Sequence, residues 1–244
     1  MERIGCYTTA RVTGGRIERI ERHAGRLRRD AGRLGLARPE RPAIEEIALA
    51  AVRAELGRGG GIVRIEWSGA EPRLSASTRP LGAEPGTWRA ITARALHPGP
   101  AARAGTKALD VPAWDAARAE RSAAGVEESL LFDGAGRLVE GSRTNLVVVT
   151  EEGLCLTPAR GLGPVEGLGL ELAREAVPAI VETLGIDRRT LARARELVAV
   201  NAVRGAVAIV ELDGSPVGDG RSGPLAQRLR VVFPTGRVIP ERLS

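Results

Sequence analysis

Apolar positions along the chain repeat with two periods, near two in some stretches and near 3.6 in others. Residues 7–12 read as a strand, Gly14-Gly15 as a hairpin turn and residues 16–20 as the returning strand. Ile20, Ala24, Leu27, Ala31 and Leu34 then recur at helical spacing and make one apolar face, with Gly35 as a stop. A second helix is expected over residues 44–56, after Pro42, followed by strands over 62–67 and 88–96. His97-Pro98-Gly99-Pro100 ends that run, and the segment to about Arg103 reads as a connection. Beyond it the pattern gives a helix over 112–124 and strands over 129–132, from 138 through Glu140, over 144–149 and over 154–157. A glycine-rich loop, 161–169, opens into a helix reaching about 176. A short strand, a helix over 187–194, strands over 197–200 and 206–212 and a last helix over 224–232 complete the chain. Strands in hairpins beside segregated helices predict an α+β fold in two parts, a smaller one over 1–103 and a larger one over 104–244.

Composition narrows the chemistry. Hydrophobic residues make up 43% of the chain, enough for a sizeable core, but aromatics only 2%, so Leu, Val, Ile and Ala must build it. So few aromatics leave no stacking platform for single-stranded nucleic acid. The net charge of +6 comes from arginines spread along the whole chain, which suits an anionic small molecule better than nucleic acid. The two cysteines, Cys6 and Cys155, are far apart and form no metal-binding pattern, so no metal is expected. No apolar run approaches a membrane span, and the first residues show no signal-peptide pattern, so a soluble, cytoplasmic protein is expected.

One residue stands apart from this composition. The chain has 36 lysine and arginine side chains, and all but Lys107 are arginine. Arginine matches lysine for solubility and exceeds it in pairing with carboxylates, but it cannot lose a proton and attack a carbonyl. A lysine amine can, and can form a Schiff base with an aldehyde. An arginine-biased composition could also leave one lysine by chance, so the residue gains weight only from its surroundings. A lysine that holds pyridoxal 5'-phosphate needs an acid for the pyridine nitrogen and backbone N–H groups for the phosphate. Glu140 stands alone on an otherwise apolar strand, and Gly167-Leu168-Gly169 opens a helix. Arg26, one turn from His23 on the first helix, could add a guanidinium. A strand-edge glutamate, a helix-entry loop and a solvated arginine would account for the same residues.

Several spaced motifs, in order, then carry a resemblance. Glu140-Gly141-Ser142-Arg143-Thr144-Asn145-Leu146 resembles the E-x-x-x-x-N-(apolar) signature of the class IV aminotransferases, or fold type IV pyridoxal phosphate enzymes. His23-Ala24-Gly25-Arg26-Leu27 resembles the family's H-x-x-R-L, and Lys107 stands where its cofactor-binding lysine does. The resemblance implies a two-domain fold like that of D-amino acid aminotransferase, with the active site between the domains and a homodimer. It implies pyridoxal 5'-phosphate as cofactor, Lys107 as the catalytic residue, and cofactor contacts from Arg26, Lys107, Glu140, Asn145, Gly167, Leu168, Gly169, Asn201 and Ala202. Gly169 departs from the pattern, since many relatives carry a phosphate-binding threonine there.

Two stretches point within the family. Gly5-Cys6-Tyr7-Thr8-Thr9-Ala10-Arg11-Val12 and Asn201-Ala202-Val203-Arg204 resemble the 4-amino-4-deoxychorismate lyase branch, and the aminotransferases usually have an acid where Thr8 stands. The function this implies is elimination of pyruvate to give 4-aminobenzoate in folate biosynthesis. The alternatives are a D-amino acid or branched-chain amino acid aminotransferase, or a homologue without activity. The substrate expected is a small anionic amino compound, with Arg11, Arg94 and Arg204 as candidate partners for its carboxylates.

Overall fold

The computed structural model describes residues 4–69, 73–100 and 105–233. Two sheets organise them, each packed against helices. The first sheet contains β1 (Gly5–Thr13), β2 (Arg16–Ile17), β3 (Gly61–Ser68) and β4 (Arg73–Arg79), in the order β2-β1-β3-β4. Between β2 and β3 run α1 (Ile20–Arg33) and α2 (Arg41–Glu55).

Successive side chains on a strand face opposite ways, and the first sheet uses both faces. Cys6, Ala10 and Val12 of β1 with Val63 and Ile65 of β3 pack against Ala24, Leu27 and Ala31 of α1 and Ile44, Ala48 and Val52 of α2. The intervening residues Tyr7, Thr9, Ile62 and Arg64 are thereby turned to the other face, where they form a wall of the cleft described below.

The second sheet comprises β5 (Thr87–Thr92), β6 (Glu128–Phe132), β7 (Leu138–Gly141), β8 (Asn145–Val149), β9 (Cys155–Pro158), β10 (Val181–Thr183), β11 (Glu196–Asn201), β12 (Gly205–Leu212) and β13 (Ser215–Pro216). Its order is β10-β9-β8-β11-β12-β5-β6-β7, with β13 on β12. The helices are α3 (Pro112–Ala123), α4 (Leu168–Ala176), α5 (Arg188–Ala192) and α6 (Pro224–Val232). Both faces of this sheet are covered, which explains the unbroken apolar run of β8. Leu146 and Val148 join one core with Trp88, Leu130 and Leu197, while Val147 and Val149 join a second core beneath α4 and α6.

The α+β architecture is the one the sequence predicts, but β13 was not expected, the strand expected over 88–96 ends at Thr92, and two further differences bear on the fold. β4 had no counterpart in the pattern, because its sequence, Arg-Leu-Ser-Ala-Ser-Thr-Arg, is mostly small and polar on a half-exposed edge strand. β5 lies within the second sheet, parallel to both β12 and β6, rather than in a hairpin.

The segment carrying Lys107 forms a strap across β1. Tyr7 N–H donates to Lys107 O at 2.9 Å, and Leu109 N–H donates to Gly5 O at 2.9 Å, so Cys6 and Ala108 pair as in an antiparallel ladder. Gly5 permits this approach, since a Cβ there would lie 2.5 Å from Trp67 O and 2.8 Å from Leu109 Cδ1. The buried carboxylate of Asp30, on α1, accepts the Lys107 N–H at 3.0 Å. On the other side, Glu166 N–H donates to Gly105 O at 3.0 Å, and Arg33 pairs with the Glu166 side chain at 2.7 Å. The strap is thus fastened to both halves of the molecule.

Candidate active site

A cleft of about 510 Å³ opens between the two sheets. Lys107, Arg26, Glu140, Asn145, Gly167, Leu168, Gly169, Asn201, Ala202 and Arg204 all line it. Arg94 does not. It lies exposed between Ala93 and Ala95, which take the inward positions against α3. Arg11 sits outside the lining as well, pairing with Glu18 at 3.7 Å and donating to Val203 O at 3.4 Å. Five arginines not singled out in the sequence are found in the lining instead: Arg64, Arg79, Arg118, Arg121 and Arg143.

Glu140 is buried at the end of β7, and its oxygens accept from three N–H groups. Oε1 accepts from Trp114 Nε1 at 3.0 Å and faces His97 Nε2 at 3.2 Å, and Oε2 accepts from Val165 N at 3.0 Å. Asn145, at the start of β8, donates from Nδ2 to Val165 O at 2.8 Å. The Glu-x4-Asn spacing therefore clamps both polar groups of Val165, and so the loop leading into α4. Gly167 fits against this clamp, because a Cβ there would lie 2.1 Å from Asn145 Oδ1. The turn between the two clamp residues is held in turn by Glu128, fully buried, which accepts from Ser129 N, Ser142 N, Ser142 Oγ and Thr144 Oγ1 at 2.6–3.0 Å.

A second group of donors lines the same cleft. The guanidinium of Arg26 is buried, its Nε has no partner among the described residues, and desolvation pulls its pKa down against the opposing effect of Asp30. Arg26 donates to Thr8 Oγ1, so the Thr8 hydroxyl proton goes to His23 Nδ1, 2.6 Å away. Burial and the nearby Arg26, Arg19 and Lys107 charges hold His23 well below its ordinary pKa, as a neutral acceptor. The first turn of α4 faces the same space. Its N-cap, Gly167, supplies no side-chain acceptor, so the leading N–H groups of the helix stay available to a ligand.

Gly169 takes on a different meaning here. A Cβ at 169 would lie 2.5 Å from Asn201 Cα and 2.6 Å from Asn201 N, both backbone atoms. The position admits no threonine; glycine lets the start of α4 close onto the 201–204 turn. That turn is folded by Asn201 Oδ1, which accepts from Val203 N at 2.9 Å and Arg204 N at 2.7 Å.

The Lys107 amine lies 4.8 Å from the centre of the Tyr7 ring and hydrogen-bonds the phenol. Burial works to raise the Tyr7 pKa, but the charges of Lys107, Arg64 and Arg118 outweigh it and bring the phenol below its usual range. Tyr7, His97 and Trp114 were missed in the sequence as site residues. The alternation of β1 carried a signal for Tyr7, since an inward Thr8 turns its neighbour to the cleft. A lysine amine, a buried acid and a group of N–H donors around Arg26 and the start of α4 thus share one cleft, and these groups fit a phosphate-bearing aldehyde with a basic ring nitrogen. Among the described residues no cluster of metal-ligating side chains occurs, and no helix is long and apolar enough to cross a membrane.

Two outcomes are expected from this geometry. Gly169→Thr, which installs the residue many relatives carry, will destabilise the fold by about 1–3 kcal/mol in denaturant unfolding through overpacking on Asn201. Unchanged stability with tighter phosphate binding would contradict the close approach. Stability will also fall as pH drops below about 6.5, the ordinary histidine value, because the unfolded chain takes up a proton that buried His23 refuses. The contribution is at most about 1.4 kcal/mol per pH unit, and His23→Gln removes it. A slope unaltered by that substitution would show His23 to be protonated in the fold.

Comparison with known proteins agrees with this architecture. The sequence pattern of the Amino-transferase class IV family matches residues 5–212. A protein of Aquifex aeolicus (strain VF5), provisionally named branched-chain-amino-acid aminotransferase, is 26% identical over 121 residues, which is 48% of this chain and 39% of the relative's own length. A Legionella pneumophila protein provisionally named 4-amino-4-deoxychorismate lyase superposes with a TM-score of 0.82 at 16% identity, covering 96% of this chain and 91% of that one. A hypothetical aminotransferase from Mycobacterium tuberculosis, in its PLP-bound form, gives a TM-score of 0.79 at 20% identity, covering 96% and 90%. With a family match over residues 5–212, most of its length, and a fold that superposes on these structures, the chain belongs to the class IV aminotransferase family.

Proposed function

We propose that the chain is a pyridoxal 5'-phosphate enzyme that transfers the amino group of an anionic amino acid to a 2-oxo acid. The observation that carries this reading is the meeting of Lys107, Glu140 and the Arg26–α4 anion cradle in one cleft. Arg26 and the N–H groups of Leu168 and Gly169 would hold the phosphate, Glu140 the ring nitrogen and Lys107 the aldehyde carbon. When bound, the cofactor supplies an electron sink for charge left on a carbon that loses a proton.

The rest is the work of the chain's own groups. In amino transfer the Lys107 amine would take the substrate's α-proton as base and, as acid, deliver it to the cofactor carbon rather than back to the substrate. The Tyr7 phenol beside it keeps a hydrogen-bond partner on that amine through the exchange. Val165 and Leu168 give that end of the cleft an apolar lining.

Charge favours an acidic substrate. Arg64, Arg79, Arg118, Arg121, Arg143 and Arg204 line the cleft, and the lining acids are Glu84 and Glu140. Glu84 offsets Arg143 and Arg204, at 2.9 and 3.0 Å. Arg121 retains an Nε without a partner among the described residues, and its pKa is lowered by desolvation first and by Arg143 second. The lining also carries apolar side chains, Ile62, Leu81, Trp114, Val165 and Leu168 among them, so the case for an acidic substrate rests on the donors that a second carboxylate finds there.

The lyase reading, preferred on sequence, becomes the second one. The Aquifex relative and the Mycobacterium structure are described as aminotransferases, which supports amino transfer. Thr8 in place of an acid, the Asn201-Ala202 turn and the Legionella structure favour the lyase. Homodimeric assembly and a cytoplasmic setting belong to either reading.

Assays of the cofactor-loaded protein separate them. Glutamate, aspartate, branched-chain amino acids and D-alanine are each offered with a 2-oxo acid acceptor, and 4-amino-4-deoxychorismate is offered without one. The expected result is transfer that requires the acceptor, fastest with the dicarboxylates, and reduced about 10²–10⁴-fold by Lys107→Ala. Pyruvate release from 4-amino-4-deoxychorismate alone would overturn the transfer reading in favour of the lyase. Inactivity in every assay would leave a ligand-binding homologue.

A further inference from the structure

His97 lies outside the cleft lining, yet it touches the acid at its centre. The ring is buried, and its two nitrogens meet different partners. Gly99 N–H donates to Nδ1 at 3.0 Å. A backbone N–H can only donate, so Nδ1 carries the lone pair and the ring proton resides on Nε2. That proton points at Glu140 Oε1, 3.2 Å away. The backbone that carries the ring is fixed, because the His97 N–H donates to Phe132 O at 2.8 Å and the Gly99 turn abuts Gly163, where a Cβ would lie 2.6 Å from Gly99 O.

Glu140 Oε1 therefore receives two donors, from His97 and from the indole of Trp114, while Oε2 receives the Val165 N–H. Both oxygens act as acceptors, so donors from three separate segments of the chain fix the orientation of the carboxyl group. Crowding Oε1 with two donors also leaves the free lone pair of the group on Oε2, beside Val165 and the cleft. Trp114 could supply one donor unaided. His97 sets the direction, because the Gly99 N–H bonded to Nδ1 turns Nε2 toward Oε1.

We propose that His97 is a positioning residue for Glu140: by donating from Nε2 to Oε1 it fixes the acid's aim, and so the strength with which the cleft holds and polarises a basic ring nitrogen. The claim rests on the cofactor reading above only for what Glu140 faces; the histidine's tautomer is independent of it.

Two measurements test this. In the cofactor-free protein, ¹⁵N-histidine NMR reports just two rings, since the chain has two histidines, and His97→Gln assigns them. The expected signature for His97 is the neutral Nε2–H tautomer, and an Nδ1–H or doubly protonated ring at neutral pH would overturn the proposal. Titration with pyridoxal 5'-phosphate then compares the wild-type chain with two variants. His97→Asn can still accept from Gly99 N–H but does not reach Glu140, whereas His97→Gln places an amide donor near the Nε2 position. The asparagine variant should bind the cofactor roughly tenfold more weakly or worse, with a shifted absorbance band, because a hydrogen bond to a buried charge is lost. The glutamine variant should restore both. A merely structural histidine would not separate the two variants by the band position, so equal affinity and an equal band in the asparagine variant would overturn the proposal alone. A wild-type chain that takes up no cofactor would overturn the reading of the cleft, and this proposal with it.

Discussion

The pairing of the Lys107 strap with β1 is the contact on which the rest of the site depends. A lysine on a free loop would sweep through water. Here the peptide groups on both sides of Lys107 are engaged, by Tyr7 N–H and by the Asp30 carboxylate, so the amine leaves a fixed backbone and can point only into the cleft. Three sequence features meet in this contact: a glycine at 5 that lets the strap approach, an acid at 30 on the buried face of α1, and alternation in β1 that puts Tyr7 next to the amine. Hydrogen bonds to charged groups typically stabilise by about 1.5–3 kcal/mol. Their larger effect here is to fix where one reactive nitrogen sits.

The second constraint is charge. Burying Arg26, Asp30, Glu128 and Glu140 costs free energy unless each finds partners. The two glutamates are fully answered by N–H and O–H donors, and those donors belong to the loops that shape the cleft. Their desolvation is thus offset by bonds that also position Val165, Ser142 and Thr144. Arg26 is answered only in part. Thr8 takes one N–H and Asp30 lies on the next turn of the helix, but Nε stays without a partner beside an uncapped helix start. An anion is the group that would complete it.

Much of this was legible in the residues. The helical faces of α1, α3, α4 and α6 and the apolar strands of the second sheet follow from periodicity, because burial on one or two faces imposes it. Lys107, Arg26, Glu140 and the 167–169 turn stood out because their chemistry is rare in this composition. Other features depend on tertiary placement. β4 carries no apolar pattern because an edge strand is half solvated. Arg94 was singled out and Arg121 was not, yet Ala93 and Ala95 turn inward and send Arg94 to solvent, while Arg121 lines the cleft. The Gly169 departure read as a lost hydroxyl until the backbone of Asn201 was seen to occupy that space. His97 and Trp114 reach Glu140 from 43 and 26 residues away, a distance that no local pattern encodes.

The central claim is that the one ε-amine in the chain is held where it meets an aldehyde whose phosphate lies in the Arg26 cradle. Incubation with pyridoxal 5'-phosphate, borohydride reduction and peptide mapping test it directly, because the sole rival amine is the chain's own amino terminus. The account predicts one cofactor mass per chain on the Lys107 peptide, competed by inorganic phosphate and abolished by Lys107→Arg. Label confined to the amino terminus, or label at Lys107 indifferent to Arg26→Ala, would contradict it.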